Sequence, residues 1–269
     1  MPAQVAIHQS ANGKEQEDRF ARKRVHDYQY VGVFDGHGGD YSARWCRDNL
    51  HKYIEAAVED CGWPENCLHM AFSNANRAIL LSNASTGTTA SVFLWRETSR
   101  EFVAANVGDS TIVLCQNGVA KVISYDHNCR EMLEHNRLAS ETCLMSEDGR
   151  IIGPYGGLAV TRTLGDLAYK PYACAIPFVN YGYINNEDEF VIIASDGLWD
   201  VMTPQDAVAK ARNLGTASEM ASELVEYAIK KSSRDNITCG VVLFRPPRED
   251  ESNVTYQSIM SSAHNETIY

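Results

Sequence analysis

Val31-Gly-Val-Phe-Asp-Gly-His-Gly-Gly-Asp40 is the stretch around which the rest of the chain is organised. Apolar and β-forming residues fill 30–34, and they predict a buried strand. Asp35 follows at the end of that strand, where a rigid backbone would hold its carboxylate toward a ligand. The glycines beyond it allow a sharp turn and a close approach of the backbone to a bound group. His37 stands on the same turn, although an ordinary solvated corner between a strand and a helix would fit this stretch as well.

Composition predicts a soluble globular protein. The chain has 269 residues, of which 44% are hydrophobic and 22% charged, so it can bury a sizeable core. Its net charge of -11 argues against broad binding of nucleic acid or of an anionic membrane, since both need a basic face. The N-terminus lacks a signal-peptide pattern, and no apolar run reaches membrane-spanning length. We therefore expect a monomer in the cytoplasm, the nucleus or both, with neither a membrane nor a nucleic acid as partner.

The eight cysteines predict free thiols. None forms a C-x-x-C pair, and several lie inside apolar runs such as 111–115 and 238–244. Buried thiols in a reducing compartment fit this pattern better than disulfides or zinc ligands.

Helical and strand periodicities alternate along the first half of the chain. Helices are expected at about 41–58 and 65–82, each with an apolar stripe that faces a core. Four strand-like runs follow, and their spacing predicts an antiparallel meander. These runs are 88–95, 101–106, 111–115 and 120–124.

The second half contains an irregular insert and a second strand that ends in an aspartate. Regularity falls between 126 and 182, apart from a short helix expected over 131–139, and such an insert is typical of a functional flap. An apolar strand over 190–195 ends in Asp196-Gly197. Thr203 is expected to cap a helix, and Thr216 to open another through a capping box.

The chain is predicted to form one catalytic domain followed by a tail. A last strand is expected over 237–244, and Pro246-Pro247 follows it. The segment 247–269 is polar and acidic without an apolar period, so we expect a mobile tail. No linker separates two composition regimes before it, so 1–246 is assigned to a single domain.

Acidic residues recur at the ends of the predicted strands. Asp35 and Asp196 follow strands, Asp109 lies between two, and Asp235 precedes one. Glu17-Asp18 joins them if the N-terminal segment pairs beside the Asp35 strand. Carboxylates without histidines suit hard cations such as Mg²⁺ and Mn²⁺, and a set of this size suggests two metals about 3.5–4 Å apart. Each Asp-Gly pair taken alone is also a common turn.

The order of these motifs resembles the metal-dependent protein phosphatase 2C family from about Asn12 to Phe244. The segments that carry the resemblance are Glu17-Asp18, Val33-Phe-Asp-Gly-His-Gly-Gly39, Gly87-Thr-Thr-Ala90, Asn106-Val-Gly-Asp-Ser110, Asp126-His127, Gly157-Leu-Ala-Val-Thr-Arg-Thr-Leu-Gly-Asp166, Ala194-Ser-Asp-Gly-Leu-Trp-Asp-Val201 and Ser233-Arg-Asp-Asn-Ile-Thr238. The resemblance implies an α+β fold, a four-layer α-β-β-α sandwich in which helices flank two central antiparallel sheets. It also places the flap at about 128–182.

The resemblance further implies a protein serine/threonine phosphatase with two Mg²⁺ or Mn²⁺ ions. Asp35 would bridge the ions, and His37 would be the general acid for the leaving alkoxide. A hydroxide on the metal centre would attack the phosphorus of a phosphoserine or phosphothreonine monoester in a phosphoprotein substrate. A third, weaker ion would use Asp109 together with Asp196. The residues assigned to the metals are Glu17, Asp18, Asp35, Gly36 (through its carbonyl), Asp109, Asp196 and Asp235.

The sequence departs from the family pattern at two places. Lys14 stands where the family usually has an arginine that holds the substrate phosphate, and a lysine lacks the two-pronged fork that suits this group. We expect weaker phosphate binding as a result. The segment after Lys170 lacks the usual proline-containing strand and has Ile176-Pro-Phe-Val in its place.

Two other functions remain open at this point. A pseudophosphatase would keep the fold as a binding scaffold, although such relatives generally lose metal ligands and every expected ligand position here is acidic. Another two-metal hydrolase, such as a nuclease, is disfavoured by the acidic charge.

Overall fold

The computed structural model describes residues 2–61, 65–82 and 85–245. Its strands are β1 (Gln4–Ser10), β2 (Arg19–Val25), β3 (Tyr28–Phe34), β4 (Gly36–His37), β5 (Gly87–Thr88), β6 (Ala90–Trp95), β7 (Glu101–Val107), β8 (Thr111–Gln116), β9 (Val119–Val122), β10 (Ile151–Gly153), β11 (Gly156–Leu158), β12 (Leu164–Gly165), β13 (Phe178–Tyr183), β14 (Asp188–Ala194) and β15 (Ile237–Leu243). Its helices are α1 (Tyr41–Cys61), α2 (Glu65–Leu81), α3 (Met132–Ser140), α4 (Asp196–Trp199), α5 (Pro204–Ala211) and α6 (Ala217–Lys230), with a 3₁₀ turn at Leu167–Tyr169.

Two five-stranded antiparallel sheets form the centre of the molecule. The first, here called the β14 sheet, has the strand order β1-β15-β14-β8-β9, and the second, the β3 sheet, has the order β13-β7-β6-β3-β2. Val31, Phe93 and Ile193 belong to the core between the sheets. The predicted α+β fold with two antiparallel sheets flanked by helices is confirmed.

Each sheet buries its outer face beneath helices. Phe34 of β3 packs with Leu50 of α1 and Phe72 of α2. On the other side, Ile192 of β14 packs with Leu224 of α6. Strands that are covered on both faces need apolar residues at successive positions, which explains the unbroken apolar runs of β3 and β14.

The capping residues seen in the sequence correctly predict where α5 and α6 begin. The Thr203 side chain accepts a hydrogen bond from the Asp206 N–H, with a proline at the first helical turn of α5. Thr216 and Glu219 form the predicted capping box at the start of α6. These short-range contacts satisfy backbone N–H groups that the first helical turn leaves without a partner.

The predicted single meander is wrong, because the chain changes sheets within it. β7 pairs with β6 in the β3 sheet, whereas β8 pairs with β14 and β9 in the β14 sheet. Gly108 makes the crossing with φ +93°, and a Cβ there would lie 2.5 Å from Thr89 Cγ2. The run predicted over 88–95 is divided in the same way, since β5 belongs to a small sheet with β4 and β12.

The segment after Lys170 does form a strand. β13 pairs antiparallel with β7 at the edge of the β3 sheet. Its side chains are half-buried or exposed, and Tyr181 is 61% exposed, so the apolar run that marks an inner strand is missing.

The N-terminal segment joins the two sheets. β1 pairs with β15 in the β14 sheet, and β2 pairs with β3 in the β3 sheet. Their connection, 11–18, carries Lys14 and Glu17-Asp18. The expected pairing of this segment beside the Asp35 strand is therefore confirmed.

The range predicted as a flap contains α3, the β10–β11 hairpin and a buried ion cluster. Glu134 is 1% exposed, and its carboxylate accepts hydrogen bonds from Arg162 Nη2 at 2.6 Å and Arg137 Nη2 at 2.9 Å. Thr161 Oγ1 donates to it at 2.6 Å. Burial alone would raise the pKa of Glu134, but these donors lower it to about 2.

Glu134→Ala should destabilise the protein strongly. The variant leaves two guanidinium groups facing a cavity, and breaking a buried ion pair from one side costs about 3–5 kcal/mol. Urea unfolding measures this loss. Glu141→Gln is the matched control, because Glu141 meets Arg137 at 3.3 Å with a 38% exposed side chain, and such pairs contribute about 0–1 kcal/mol. Equal losses in the two variants would contradict this account.

Several predictions concern the chain as a whole. Seven cysteines in the described ranges form no disulfide. Six of them are buried, namely Cys46, Cys67, Cys115, Cys129, Cys143 and Cys239, and Cys174 is partly exposed; the side chain of Cys61 lies outside the described residues. No helix in the described ranges is long and apolar enough to cross a membrane. The tail over 247–269 also lies outside those ranges, so the domain boundary at 246 stays a prediction.

Candidate active site

All the predicted site residues except Asp18 line one cavity of about 760 Å³ at the ends of the central strands. Acidic groups come from both sheets and from the connection between β1 and β2. Residues of the flap, among them Arg150 and Tyr155, close another side. The predicted residues on its wall are Lys14, Glu17, Asp35, Gly36, His37, Asp109, Asp196 and Asp235. Asp18 is completely buried and is not among the residues that line the cavity.

Asp35 is held by its backbone at the end of β3. Its N–H donates to Thr89 Oγ1 at 3.1 Å, and its carbonyl oxygen accepts from Thr88 Oγ1 at 3.0 Å. The carbonyl also accepts from the Thr89 N–H at 2.9 Å. The main chain of Asp35 is thus fixed, and its carboxylate is left for the cavity.

Gly36 and Glu17 approach each other closely. A Cβ on Gly36 would lie 2.7 Å from the Glu17 carbonyl oxygen, so only glycine fits beside this strand end. The Glu17 carboxylate accepts a hydrogen bond from the Gly39 N–H at 2.5 Å. The Glu17 N–H donates to Asn236 Oδ1 at 2.8 Å. Sequence reasoning gave Asn236 no role, although it ties Glu17 to the start of β15.

Asp18 carries an unsatisfied buried oxygen. Its Oδ2 accepts hydrogen bonds from Ser195 Oγ at 2.8 Å and Thr238 Oγ1 at 2.7 Å. Its Oδ1 is buried without a hydrogen-bond partner. Burial raises the pKa of Asp18, and the two hydroxyl donors only partly offset that rise. A buried carboxylate oxygen without a donor is costly unless a cation or a proton approaches it.

The carboxylates of the cavity repel one another. Burial raises the pKa of Asp35 well above its usual value, and the charges of Asp18 and Asp196 raise it further. Burial and then repulsion from Asp196 raise the pKa of Asp109 in the same way. The pKa of Asp196 rises to about 6, first through burial and then through repulsion from Asp200. Ionising all of them at neutral pH requires positive charge between them.

The donor set fits hard cations by its chemistry. In the described ranges no three histidine, cysteine or acidic side chains stand together at metal-ligand geometry. The fit therefore rests on the carboxylate-rich lining, on the mutual repulsion of these carboxylates and on the partnerless Oδ1 of Asp18. Mg²⁺ and Mn²⁺ prefer such oxygen ligands.

His37 is paired with Asp166, a contact that sequence reasoning missed. His37 Nε2 lies 2.8 Å from Asp166 Oδ2, and the Asp166 side chain is only 4% exposed. A carboxylate accepts, so Nε2–H is the donor and Nδ1 is left for a substrate. A Cβ on Gly87 would lie 2.3 Å from His37 Nε2 and 2.0 Å from Asp166 Oδ2, so a glycine is needed at 87.

Lys14 faces a carboxylate in this structure. Its Nζ lies 2.9 Å from Asp235 Oδ1, and both side chains are about half exposed, at 50% and 52%. Exposed pairs of this kind contribute little to stability and open readily. Lys14 thus stands at the cavity wall, as predicted, and a bound phosphate would compete with Asp235 for its ammonium group.

Comparison with known proteins agrees with this arrangement. Residues 6–237 match the family model described as Protein phosphatase 2C. The chain belongs to the protein phosphatase 2C family. The predicted membership is confirmed, and with it the enzyme class, protein serine/threonine phosphatase.

Curated relatives of the phosphatase 2C family cover most of the chain. Protein phosphatase 2C homolog 1 of Schizosaccharomyces pombe is 41% identical over 85% of this chain and 68% of its own. Protein phosphatase 2C homolog 1 of Saccharomyces cerevisiae is 33% identical over 80% of this chain and 82% of its own.

Solved structures share the phosphatase 2C fold. The serine-threonine phosphatase 2C of Toxoplasma gondii has a TM-score of 0.77 and 22% identity, over 91% of this chain and 96% of its own. A C. elegans sex determining protein has a TM-score of 0.82 and 21% identity, over 92% of this chain and 66% of its own. At these identities the likeness concerns the fold alone.

Proposed function

We propose that this member of the phosphatase 2C family hydrolyses phosphoserine and phosphothreonine monoesters in proteins with the help of two Mg²⁺ or Mn²⁺ ions. The observation that carries the proposal is the group of mutually repelling carboxylates at one cavity, whose pKa values are raised by burial and by one another. Such a group is costly without cations and well suited to hold them.

The chain offers oxygen ligands on two sides of Asp35. Asp196 and Asp235 come from the β14 sheet and would complete one site with Asp35. Glu17 and the carbonyl of Gly36 would serve the other, with Asp18 behind them. Asp109, together with Asp196, would hold a weaker third ion. When bound, the cations supply an activated water and neutralise charge on the phosphoryl oxygens.

The remaining groups handle the substrate. The ammonium group of Lys14 would leave Asp235 and form an ion pair with a phosphoryl oxygen of the substrate. His37 would donate a proton from Nδ1 to the serine or threonine oxygen as it leaves, while Asp166 keeps Nε2 occupied and the ring oriented. None of the cysteines in the described ranges lines the cavity, and burial raises the pKa of Cys46 and of Cys239 well above the usual value of a thiol, which makes them poor nucleophiles.

Phosphate release from a phosphothreonine peptide tests the proposal directly. We expect release with millimolar Mn²⁺, none after chelation, and recovery when the metal is restored. Absence of release from a folded protein that still binds Mn²⁺ by calorimetry would favour a binding scaffold.

Lys14→Arg should lower KM for a phosphopeptide by about threefold to tenfold with little change in kcat. Arginine can bind two phosphoryl oxygens at once, whereas lysine offers a point charge. Steady-state kinetics measure the split, and Lys14→Gln should shift KM in the opposite direction. An unchanged or higher KM in Lys14→Arg would count against a role of Lys14 in phosphate binding.

The stabilisation of the folded protein by bound cations should grow with pH. An acid whose folded pKa is raised stabilises the fold below its unfolded pKa and loses that contribution as pH rises through the folded value. For Asp196 this range runs from 3.8 to about 6, and the raised pKa of Asp35 acts in the same direction. The metal-free protein therefore loses this stability on going to neutral pH, where cations restore it.

The rise in Tm caused by Mn²⁺ should accordingly be larger at about pH 7.5 than at about pH 5.5. The buried, neutral His127, with a pKa of about 3, contributes a stability with the opposite pH dependence. This contribution is the same in the metal-free and the metal-bound protein, so it cancels in the rise in Tm caused by Mn²⁺. Equal rises at the two pH values would show that the cations do not displace protons from these carboxylates.

A further inference from the structure

The flap places a second basic side chain, that of Arg150, at the cavity wall. Among the described residues on its wall, Lys14 and Arg150 are the basic side chains, and Lys14 is already paired with Asp235. Arg150 makes no such pair with a cavity carboxylate. Its Nη1 donates to the Gly157 carbonyl at 3.2 Å, and its Nε meets Asp148 at 3.3 Å in a pair that is 48% and 67% exposed. Its Nη2 forms no hydrogen bond or ion pair with another residue in the described ranges, and the residue is exposed at the cavity wall.

The hairpin that follows Arg150 fixes the position of its side chain. A Cβ on Gly157 would lie 2.9 Å from Arg150 Cδ and 3.0 Å from its Cβ, so the aliphatic part of the arginine lies directly on this glycine. Gly157 has no positive φ, so small size and not backbone freedom is what this position needs.

The hairpin itself rests on Tyr169. Its Oη donates to the Gly156 carbonyl at 3.3 Å, and a Cβ on Gly153 would lie 2.4 Å from Tyr169 Cε1. Tyr169 also lines the cavity, three residues after Asp166. The hairpin is thus seated against the wall that carries the partner of His37, and Arg150 is held at a defined place on the wall of the same cavity.

We propose that Arg150 determines substrate specificity by binding an anionic group close to the phosphorylated residue, either a carboxylate or a second phosphate. The proposal rests on the proposed phosphatase function. The scissile phosphate belongs at the acidic cluster and Lys14, whereas Arg150 stands on the flap, where the flanking residues of a phosphoprotein must pass. A planar guanidinium with free N–H groups matches a carboxylate or phosphate at that point. It would also relieve repulsion between an acidic substrate and the acidic cavity.

Kinetics on matched peptides test this inference. Three phosphothreonine peptides differ only in the residues on both sides of the phosphothreonine. The first has glutamate at these positions, the second has glutamine, and the third has a residue with a non-hydrolysable phosphonate. We expect the wild-type kcat/KM to be about threefold to tenfold higher for the glutamate peptide than for the glutamine peptide at low salt, and the ratio to fall at high salt. A preference for the phosphonate alone would identify a second phosphate as the natural source.

Three variants separate recognition from structure. Arg150→Gln should bring the glutamate-to-glutamine ratio to about one. Gly157→Ala should shift the ratio in the same direction, because its methyl group displaces the Arg150 side chain while Arg150 itself is kept. Arg130→Gln is the matched control: Arg130 is exposed, reaches the Asp148 carbonyl at 3.4 Å and is not among the residues that line the cavity, so its ratio should equal that of the wild type.

The outcomes distinguish this inference from the proposed function. Release from the peptides without a preference for either glutamate or the phosphonate, or with the same preference in Arg150→Gln, overturns the role of Arg150 and leaves the phosphatase function standing. If Arg130→Gln lowers the glutamate-to-glutamine ratio as much as Arg150→Gln does, the preference comes from the overall charge of the flap and not from Arg150. No release of phosphate from any peptide would instead contradict the proposed function.

Discussion

Asp35→Asn should lower metal-dependent phosphate release by on the order of a thousandfold while the protein keeps its fold. The backbone bonds that hold Asp35 to Thr88 and Thr89 do not involve its carboxylate, so they survive the change. An amide removes the negative charge that lies between Asp18 and Asp196 and that the cations need. Phosphate release and Mn²⁺ calorimetry should therefore both show the loss.

The metal-free variant should be as thermally stable as the wild type or more so, because removal of one charge relieves repulsion within the cluster. Asp48→Asn is the matched control. Asp48 is 50% exposed, pairs with Arg47 on α1 and should leave turnover and metal binding unchanged. Wild-type turnover in a folded Asp35→Asn protein would exclude the proposed role of this cavity.

His37→Ala should reduce kcat by on the order of a hundredfold on a phosphothreonine peptide and far less on p-nitrophenyl phosphate. The alkoxide of a threonine is a poor leaving group that needs a proton, whereas p-nitrophenolate leaves without one. The comparison of the two substrates thus isolates proton donation from binding, since a merely structural defect would lower both rates alike.

Asp166→Asn should show the same dependence on the leaving group with a smaller loss, about tenfold, because Asn keeps the size but loses the charge that orients His37. The double variant should lose no more than His37→Ala, as expected for two residues that act through one ring. Asp27→Asn serves as the control, because Asp27 is 55% exposed and pairs with Arg96. Additive losses, or equal losses on both substrates, would show that Asp166 is only structural.

The features that the sequence predicts well are local. Asp35 is found because an apolar strand ends beside it, and the helix starts at Thr203 and Thr216 are found because their caps lie within three residues. The identity of the site depended on the order of short motifs, each of which alone fits a turn.

The features that escape prediction depend on distant parts of the chain. Asp166 lies 129 positions from His37, and nothing in the surrounding residues shows which side chain it meets. The crossing at Gly108 looks like an ordinary turn, because β7 and β8 have the same apolar pattern whether they pair with each other or not. The sequence pattern does not predict β13, because an edge strand with exposed tyrosines lacks the apolar run that marks an inner strand.

The connection between β1 and β2 brings the N-terminal segment to the wall of the candidate active site. One end of this connection is fastened to the β14 sheet through β15 and the other to the β3 sheet through β3, and Glu17 lies between them. A cut at the exposed Gly13 would leave every side chain of the cavity in the molecule, but only contacts such as that of the Glu17 N–H with Asn236 would then hold 14–18 against the β14 sheet. We therefore expect a single proteolytic cut at this surface, far along the sequence from Asp196 and Asp235, to loosen the cavity.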